Sequence, residues 1–218
     1  MDTEVSPRKI PINHLVLENL KKEFIALDLE TTGLDSFKDR IIEIGAVRFV
    51  DGKAEETFST LAHPDVPISA QATRVNGITN EMVSDAPSEL EAISKLIEFI
   101  GDALHGKTVM CAHNASFDFN FLRKALYRSR IHSKIVYVDT LAASRSVIKG
   151  LDNYKQDTVL SHFHLSNSQV HRAQTDALCC GRILCKLFPL LDAYIAKKEN
   201  LIVKNSPKSV HQRIGLAR

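Results

Sequence analysis

The chain has 218 residues, with 28 lysines and arginines against 26 aspartates and glutamates. That length predicts one domain with tails rather than two domains, and 44% apolar with 25% charged residues excludes wholesale disorder. No run approaches the ~18 apolar residues of a membrane span. The N-terminal MDTEVSPRKIPINHLVLENLKKE also lacks a basic start followed by an apolar block, so a cytoplasmic protein is expected.

Residues 1–22 have no clear period and contain Pro7 and Pro11; they read as an extension, with HLVLENL a short amphipathic helix. The globular domain is expected over 23–192. FIALDLE (24–30) is an apolar run of strand length, and IIEIGAVRFV (41–50) is rich in β-branched residues. Asp51-Gly52 marks a hairpin turn, and AEETFSTLA (54–62) reads as a third strand, completing an antiparallel meander. Pro64 and Pro67 then mark a loop. SELEAISKLIEFIGDAL (88–104) places Leu90, Ile93, Ile97, Ile100 and Leu104 at helical spacing, and Ser88 with Glu91 forms a capping box. TVMCAH (108–113) reads as a buried strand. NASFDFNFLRKALYRS (114–129) reads as a helix capped by Asn114, and KIVYVD (134–139) as a strand. TLAASRSVI, YKQDTVLSHF and RAQTDALCCGRILCKLFPLL read as helices. The fold expected is α/β, a mixed sheet flanked by helices. Three of the four cysteines, Cys179, Cys180 and Cys185, fall in one helical stretch, so reduced thiols are expected rather than a disulfide framework.

Asp28 and Glu30 sit at i and i+2 near a strand end, so both point to one face. Two bare carboxylates there repel, and hard oxygen ligands suit Mg²⁺ or Mn²⁺. Asp118 falls in the first turns of the 114–129 helix. Asp176 heads the apolar stripe of the last helix, with Cys180, Ile183, Leu184 and Leu187 below it. A carboxylate on a buried face needs a partner, and a metal ion is one. His171 precedes it by five residues.

DLETTG (28–33), HNASFDFNFL (113–122) and HRAQTD (171–176) resemble, in order and spacing, the three motifs of the DnaQ-like 3′–5′ exonucleases of the DEDDh branch. This is the family of polymerase proofreading domains, the DNA polymerase III epsilon type among them, and of several small ribonucleases. IIEIGAV, VNGIT (75–79) and VDTL (138–141) match as well. The resemblance implies a ribonuclease H-like, five-stranded mixed sheet and two divalent cations, Mg²⁺ or Mn²⁺. Asp28, Glu30 and Asp176 would bind the tighter ion. Asp28 would bridge to the second, held also by Asp118, and His171 would be the general base. The reaction implied is hydrolysis of the 3′-terminal phosphodiester of a single strand, releasing nucleoside 5′-monophosphates. DNA is favoured; the alternatives are a small-RNA exoribonuclease and a non-catalytic binding or docking module. Thr31, Thr32, Gly33 and Leu34 resemble the stretch that receives the terminal nucleotide. Asn76, where many relatives have His, and Gly77 belong to the substrate side, as do Ile78, Asn114 and Phe117.

GDALHGKT (101–108) matches a phosphate-binding loop letter for letter, but a helix precedes it and a strand follows, the reverse of the required context. From 193 onward the chain reads as a basic tail: Lys197, Lys198, Lys204, Lys208, Arg213 and Arg218 stand against Glu199 alone. The tail and residues 1–22 are expected to dock nucleic acid or a protein partner, a polymerase or another replication or repair protein, and no membrane.

Overall fold

The computed structural model describes residues 6–166 and 172–204. Its elements are β1 (Arg8–Lys9), α1 (His14–Lys22), β2 (Glu23–Thr31), β3 (Ile41–Val50), β4 (Lys53–Leu61), α2 (Ala70–Asn76), α3 (Glu89–Ile100), β5 (Val109–Ala112), α4 (Ser116–Arg128), β6 (Val136–Asp139), α5 (Thr140–Val147), α6 (Gln156–His162) and α7 (Ala173–Lys204). They build one sheet in the order β1-β6-β5-β2-β3-β4. The β2-β3-β4 meander is antiparallel; β2-β5, β5-β6 and β6-β1 are parallel.

Strand alternation divides the core. Phe24 and Ala26 face the layer of α1, α5, α6 and α7, where Leu17, Leu20, Ala143, Val159, Ala177, Ile183 and Leu187 are buried. Ile25, Leu27 and Leu29 face α3 and α4, with Ile93, Leu96, Phe119 and Leu122. Asp28 and Glu30 continue the first set, and so lie on the face that α7 covers. Gly181 lets α7 lie flat on the sheet, since a Cβ there would come 2.1 Å from the Phe49 ring. Among the described residues no helix is long and apolar enough to cross a membrane. All four cysteines are free, with Cys179 and Cys180 buried as expected of the helix face.

The structure differs from expectation in six places. The sheet has six strands rather than five: Arg8–Lys9 pairs with β6, so part of the stretch read as an extension belongs to the sheet, and α1 packs Leu17 and Leu20 into the core. The stretch read as a loop after Pro67 contains α2, whose start is capped by the Ser69 side chain accepting from Ala72 N–H. In α3 the capping box of Ser88 and Glu91 is present, but the buried face runs through Ala92, Ile93, Leu96 and Ile100, leaving Leu90 54% exposed. Asn114 does not cap α4; it takes φ 64°, the helix begins at Ser116, and no side chain caps it. Ile78, expected on the substrate side, is fully buried among Ile42, Ile68, Ala72 and Val83. Finally, α7 runs through Pro189 to Lys204, past the point where the tail was expected to start. His171 and residues 205–218 lie outside the described residues.

Candidate active site

The site forms where β2 ends. Its ladder with β3 is interrupted between Glu30 and Thr31, a bulge that re-aims the chain just beyond the two acids. The cross-strand partners of Asp28 and Glu30 are Gly45 and Glu43, and both serve the start of α7. A Cβ on Gly45 would lie 2.0 Å from the Ala173 carbonyl carbon, so only glycine lets the helix backbone press on β3 here. The buried Glu43 carboxylate accepts from Arg172 Nη2 at 2.6 Å and Nε at 3.1 Å. Its other oxygen accepts from the Ala173 N–H at 3.1 Å. A charged acceptor at a helix N-terminus is favourable, and this one fixes the first turn of α7 over the acids.

That turn delivers Asp176. Carboxylate oxygens of Asp28, Glu30 and Asp176 lie within 4.8 Å of one another. Asp118 arrives from the opposite layer: it is buried in the first turn of α4, and its Oδ1 accepts the Leu29 N–H at 3.1 Å. The four acids share a cleft of about 300 Å³, also lined by Leu29, His113, Asn114, Phe117, Lys155, Gln156 and Asp157.

Crowded carboxylates hold protons. Burial, then the charges of Asp118, Asp176 and Glu30, raise the pKa of Asp28 well above its ordinary value. Burial first, then Asp176 and Glu43, push Glu30 to about 7. Burial pushes Asp118 to about 8, against the hydrogen bonds from its own and Leu29's backbone N–H. The cation-free folded state therefore binds more protons than the unfolded chain between the ordinary carboxylate range and about pH 8. Its stability must fall as pH rises across that window. Melting in EDTA is expected to drop by several degrees from pH 5 to pH 8.5, and excess Mn²⁺ at pH 8.5 should restore it. A flat profile in EDTA would contradict the charge crowding.

The substrate-side residues divide. Thr31 and Thr32 are buried; the Thr31 hydroxyl donates to Gly33 O at 2.6 Å, and Leu34 is 81% exposed. Asn76 is buried and braces the strand end. Its Nδ2 donates to Thr31 O at 3.3 Å and its Oδ1 accepts from Ile78 N–H at 3.0 Å, while the side chain also favours the ionised form of Glu30. Gly77 takes φ 71° and closes α2. Asn114 and Phe117 line the cleft.

Motif reading missed four cleft residues. His113 belongs to the second motif, yet its role emerges only in three dimensions. Nε2 lies 2.8 Å from Tyr154 O and Nδ1 2.9 Å from Thr140 Oγ1. A carbonyl only accepts, so Nε2 carries a proton and the ring tethers the segment before α6 to the end of β5. That tether brings in Lys155, Gln156 and Asp157, which no sequence signal marked. Gln156 Nε2 donates at 3.2 Å to both the carboxylate Oδ1 and the backbone O of Asp176.

Residues 25–184 match the model of the Exonuclease family, and the chain belongs to it, as the three motifs lead one to expect. Relatives include the PolC-type DNA polymerase III of Caldanaerobacter subterraneus subsp. tengcongensis, 38% identical over 173 residues, which cover 79% of this chain and 12% of that protein. The PolC-type polymerase of Bacillus subtilis (strain 168) is 32% identical over 192 residues, 86% of this chain and 13% of that one. The chain thus spans a small part of the length of these curated relatives. Exonuclease X in complex with 5′-overhanging duplex DNA superposes with TM-score 0.59 at 28% identity, over 76% of this chain and 91% of that one. The nuclease domain of 3′hExo, a DEDDh family member bound to rAMP, gives 0.67 at 18% identity, over 80% and 94%. Escherichia coli Exonuclease I with a dT13 oligonucleotide gives 0.68 at 18%, over 79% and 43%. The last two are likenesses of fold.

Proposed function

We propose that the chain is a metal-dependent 3′–5′ exonuclease that removes nucleoside 5′-monophosphates from single-stranded nucleic acid, DNA in preference to RNA. The observation that carries this reading is the meeting of Asp28, Glu30 and Asp176 within 4.8 Å, with buried Asp118 in the same cleft. Four carboxylates crowded in one cleft, with Asp28, Glu30 and Asp118 raised in proton affinity by burial and by neighbouring charges, are a poor structural device and a good cation site. Their all-oxygen donor set suits Mg²⁺ or Mn²⁺. Asp28, Glu30 and Asp176 would hold one ion, and Asp118 with Asp28 would hold a second. When bound, two such ions supply an activated water and stabilise the leaving oxygen.

The chain's own groups do the rest. His171 is assigned as the base that takes the proton of the attacking water, a role its ordinary pKa of about 6.5 suits at neutral pH. The backbone from Thr31 to Leu34, Gly33 included, receives the terminal nucleotide, and Asn114 and Phe117 form the facing wall. The DNA preference rests on the PolC-type relatives. They also suggest a cytoplasmic replication or repair setting, with a polymerase as partner and the basic tail as a contact to nucleic acid.

Incubation with 5′-labelled DNA and RNA oligomers, in Mg²⁺, Mn²⁺ or EDTA, tests the reading. A ladder shortening from the 3′ end, abolished by EDTA and faster on DNA, is expected. Folded protein giving no ladder on either polymer overturns it. Gln156 gives a finer check. An outer residue that orients a metal ligand is worth about 10–100-fold in metal affinity or activity, so Gln156→Leu should weaken Mn²⁺ binding by about that factor in calorimetry. Its melting in EDTA should stay close to wild type. Unchanged Mn²⁺ affinity would remove Gln156 from the site's support.

A further inference from the structure

The loop between β2 and β3 holds two large apolar side chains in solvent, Leu34 at 81% and Phe37 at 73% exposure. It is not loose. Asp39 accepts from Asp35 N–H at 2.8 Å and from the Thr32 hydroxyl at 3.1 Å. Asp35 accepts from Phe37 N–H at 3.0 Å through its side chain, and from Asp39 N–H at 2.7 Å through its carbonyl. Arg40 N–H donates to the Thr32 hydroxyl at 3.0 Å, and the Arg40 guanidinium pairs with Asp65 at 2.6 Å. A Cβ on Gly33 would sit 2.4 Å from Asp39 Oδ2, so the packing is tight. Burying an exposed Phe would be favourable by itself; this loop is braced to prevent it.

The Phe37 ring does not stand alone. Lys124 Nζ lies 3.5 Å from its centroid. Lys124 stands on the side of α4 that starts at Phe117 in the cleft wall; between them Phe121, its ring centroid 5.0 Å from that of Phe117, is buried and supports that side from beneath. Positions 117, 121 and 124 share a helix face, and seven residues of helix rise about 10 Å. Stacked nucleotides advance about 3.4 Å each, so that rise spans about three of them.

We propose that Phe37 and Lys124 form a stacking platform for the single strand entering the cleft, about three nucleotides upstream of its 3′ end. The proposal rests on the nuclease reading above. One face of the ring meets the ammonium, and 73% exposure of the residue leaves room for a base on the other. A base stacks on that other face, as aromatic platforms do without regard to sequence, while the ammonium lies beside the adjoining phosphate. The rigid loop means that little ordering entropy is lost when the strand arrives. The partner is thus an unpaired strand several nucleotides long, not a mononucleotide.

The test compares wild type, Phe37→Ala and Lys124→Gln on oligothymidylates of two and eight nucleotides in Mn²⁺. Phe37→Ala should lower kcat/KM on the octamer by about 5–100-fold, mainly through KM, and by a clearly smaller factor on the dinucleotide. An octamer lacking the third base from its 3′ end should slow the wild type but not Phe37→Ala any further. Equal losses at both lengths, or no loss at either, would overturn the platform. Binding of 5′-fluorescein-labelled octathymidylate in Ca²⁺, read by anisotropy, separates the two ideas. If wild type cuts nothing but binds, and Phe37→Ala and Lys124→Gln bind more weakly, the platform stands and the nuclease reading falls. If wild type cuts and all three proteins bind alike, the platform falls alone; no binding by wild type sinks it too.

Discussion

Asp28→Asn is expected to abolish nuclease turnover, by roughly 10³-fold or more, while producing a protein that melts higher than wild type in EDTA. Removing a residue that merely orients a metal ligand costs about 10–100-fold; Asp28 is assigned to both ions, so its loss should exceed that range. The opposite sign in stability follows from its surroundings. Burial and the charges of Asp118, Asp176 and Glu30 all penalise its ionised form. Asparagine keeps the size and removes the charge, relieving its three neighbours. For a chain of this size about 1 kcal/mol moves Tm by ~2–4 °C, so a rise of several degrees at pH 8 is within reach. Differential scanning calorimetry in EDTA and in Mn²⁺ gives both results. The variant should melt higher in the first, gain much less from the second, and keep the part of the pH dependence that Glu30 and Asp118 carry through their burial. A variant melting lower in EDTA would show that Asp28 stabilises the fold by some other route.

Gly45→Ala is expected to have the second largest effect, on fold and site together. The added methyl would meet the Ala173 carbonyl carbon at 2.0 Å and the Gln174 nitrogen at 2.1 Å. These are backbone atoms in a turn that Glu43 already grips, so the clash is relieved only by lifting the start of α7. Overpacking typically costs about 1–3 kcal/mol. Here the same displacement carries Asp176 away from Asp28 and Glu30, so Mn²⁺ affinity should fall by more than tenfold. Gly181→Ala is the comparison. It meets the Phe49 ring at 2.1 Å, a side chain deep in the core, and should lower Tm while sparing Mn²⁺ affinity more. Equal affinity losses in the two variants would mean that α7 moves as one rigid body.

Much of this was legible in the residues, for a physical reason. The meander strands declare themselves through β-branched runs and the Asp51-Gly52 turn. Asp28, Glu30 and Asp176 stand out because a carboxylate on an apolar face is costly without a partner. What stayed hidden depends on contacts between distant segments. Arg8–Lys9 is too short to show a strand pattern and exists only by pairing with β6. Asn114 looks like a cap, but takes a left-handed turn between β5 and α4 instead. Glu43 sits in the strand IIEIGAVRFV, where nothing local reveals that it grips Arg172. Gln156 acquires meaning only once His113 has drawn its segment across the cleft. Phe37 shows the same limit from the other side: a lone aromatic in a polar loop looks ordinary until the loop proves braced.

The four acids come from β2, α4 and the start of α7, segments brought together only by the assembled sheet and both helical layers. No short peptide of this chain contains the site, so a cation held there binds the native state alone. Such binding adds RT ln(1 + [ion]/Kd) to stability, about 2.7 kcal/mol at a hundred times Kd. The converse concerns safety rather than strength. If the proposed function holds, a chain still being made, or one whose last helix has come loose, could not gather the ions and would be harmless to nucleic acid. Under the proposed function, the ability to cut would appear only once β2, α4 and α7 have packed together.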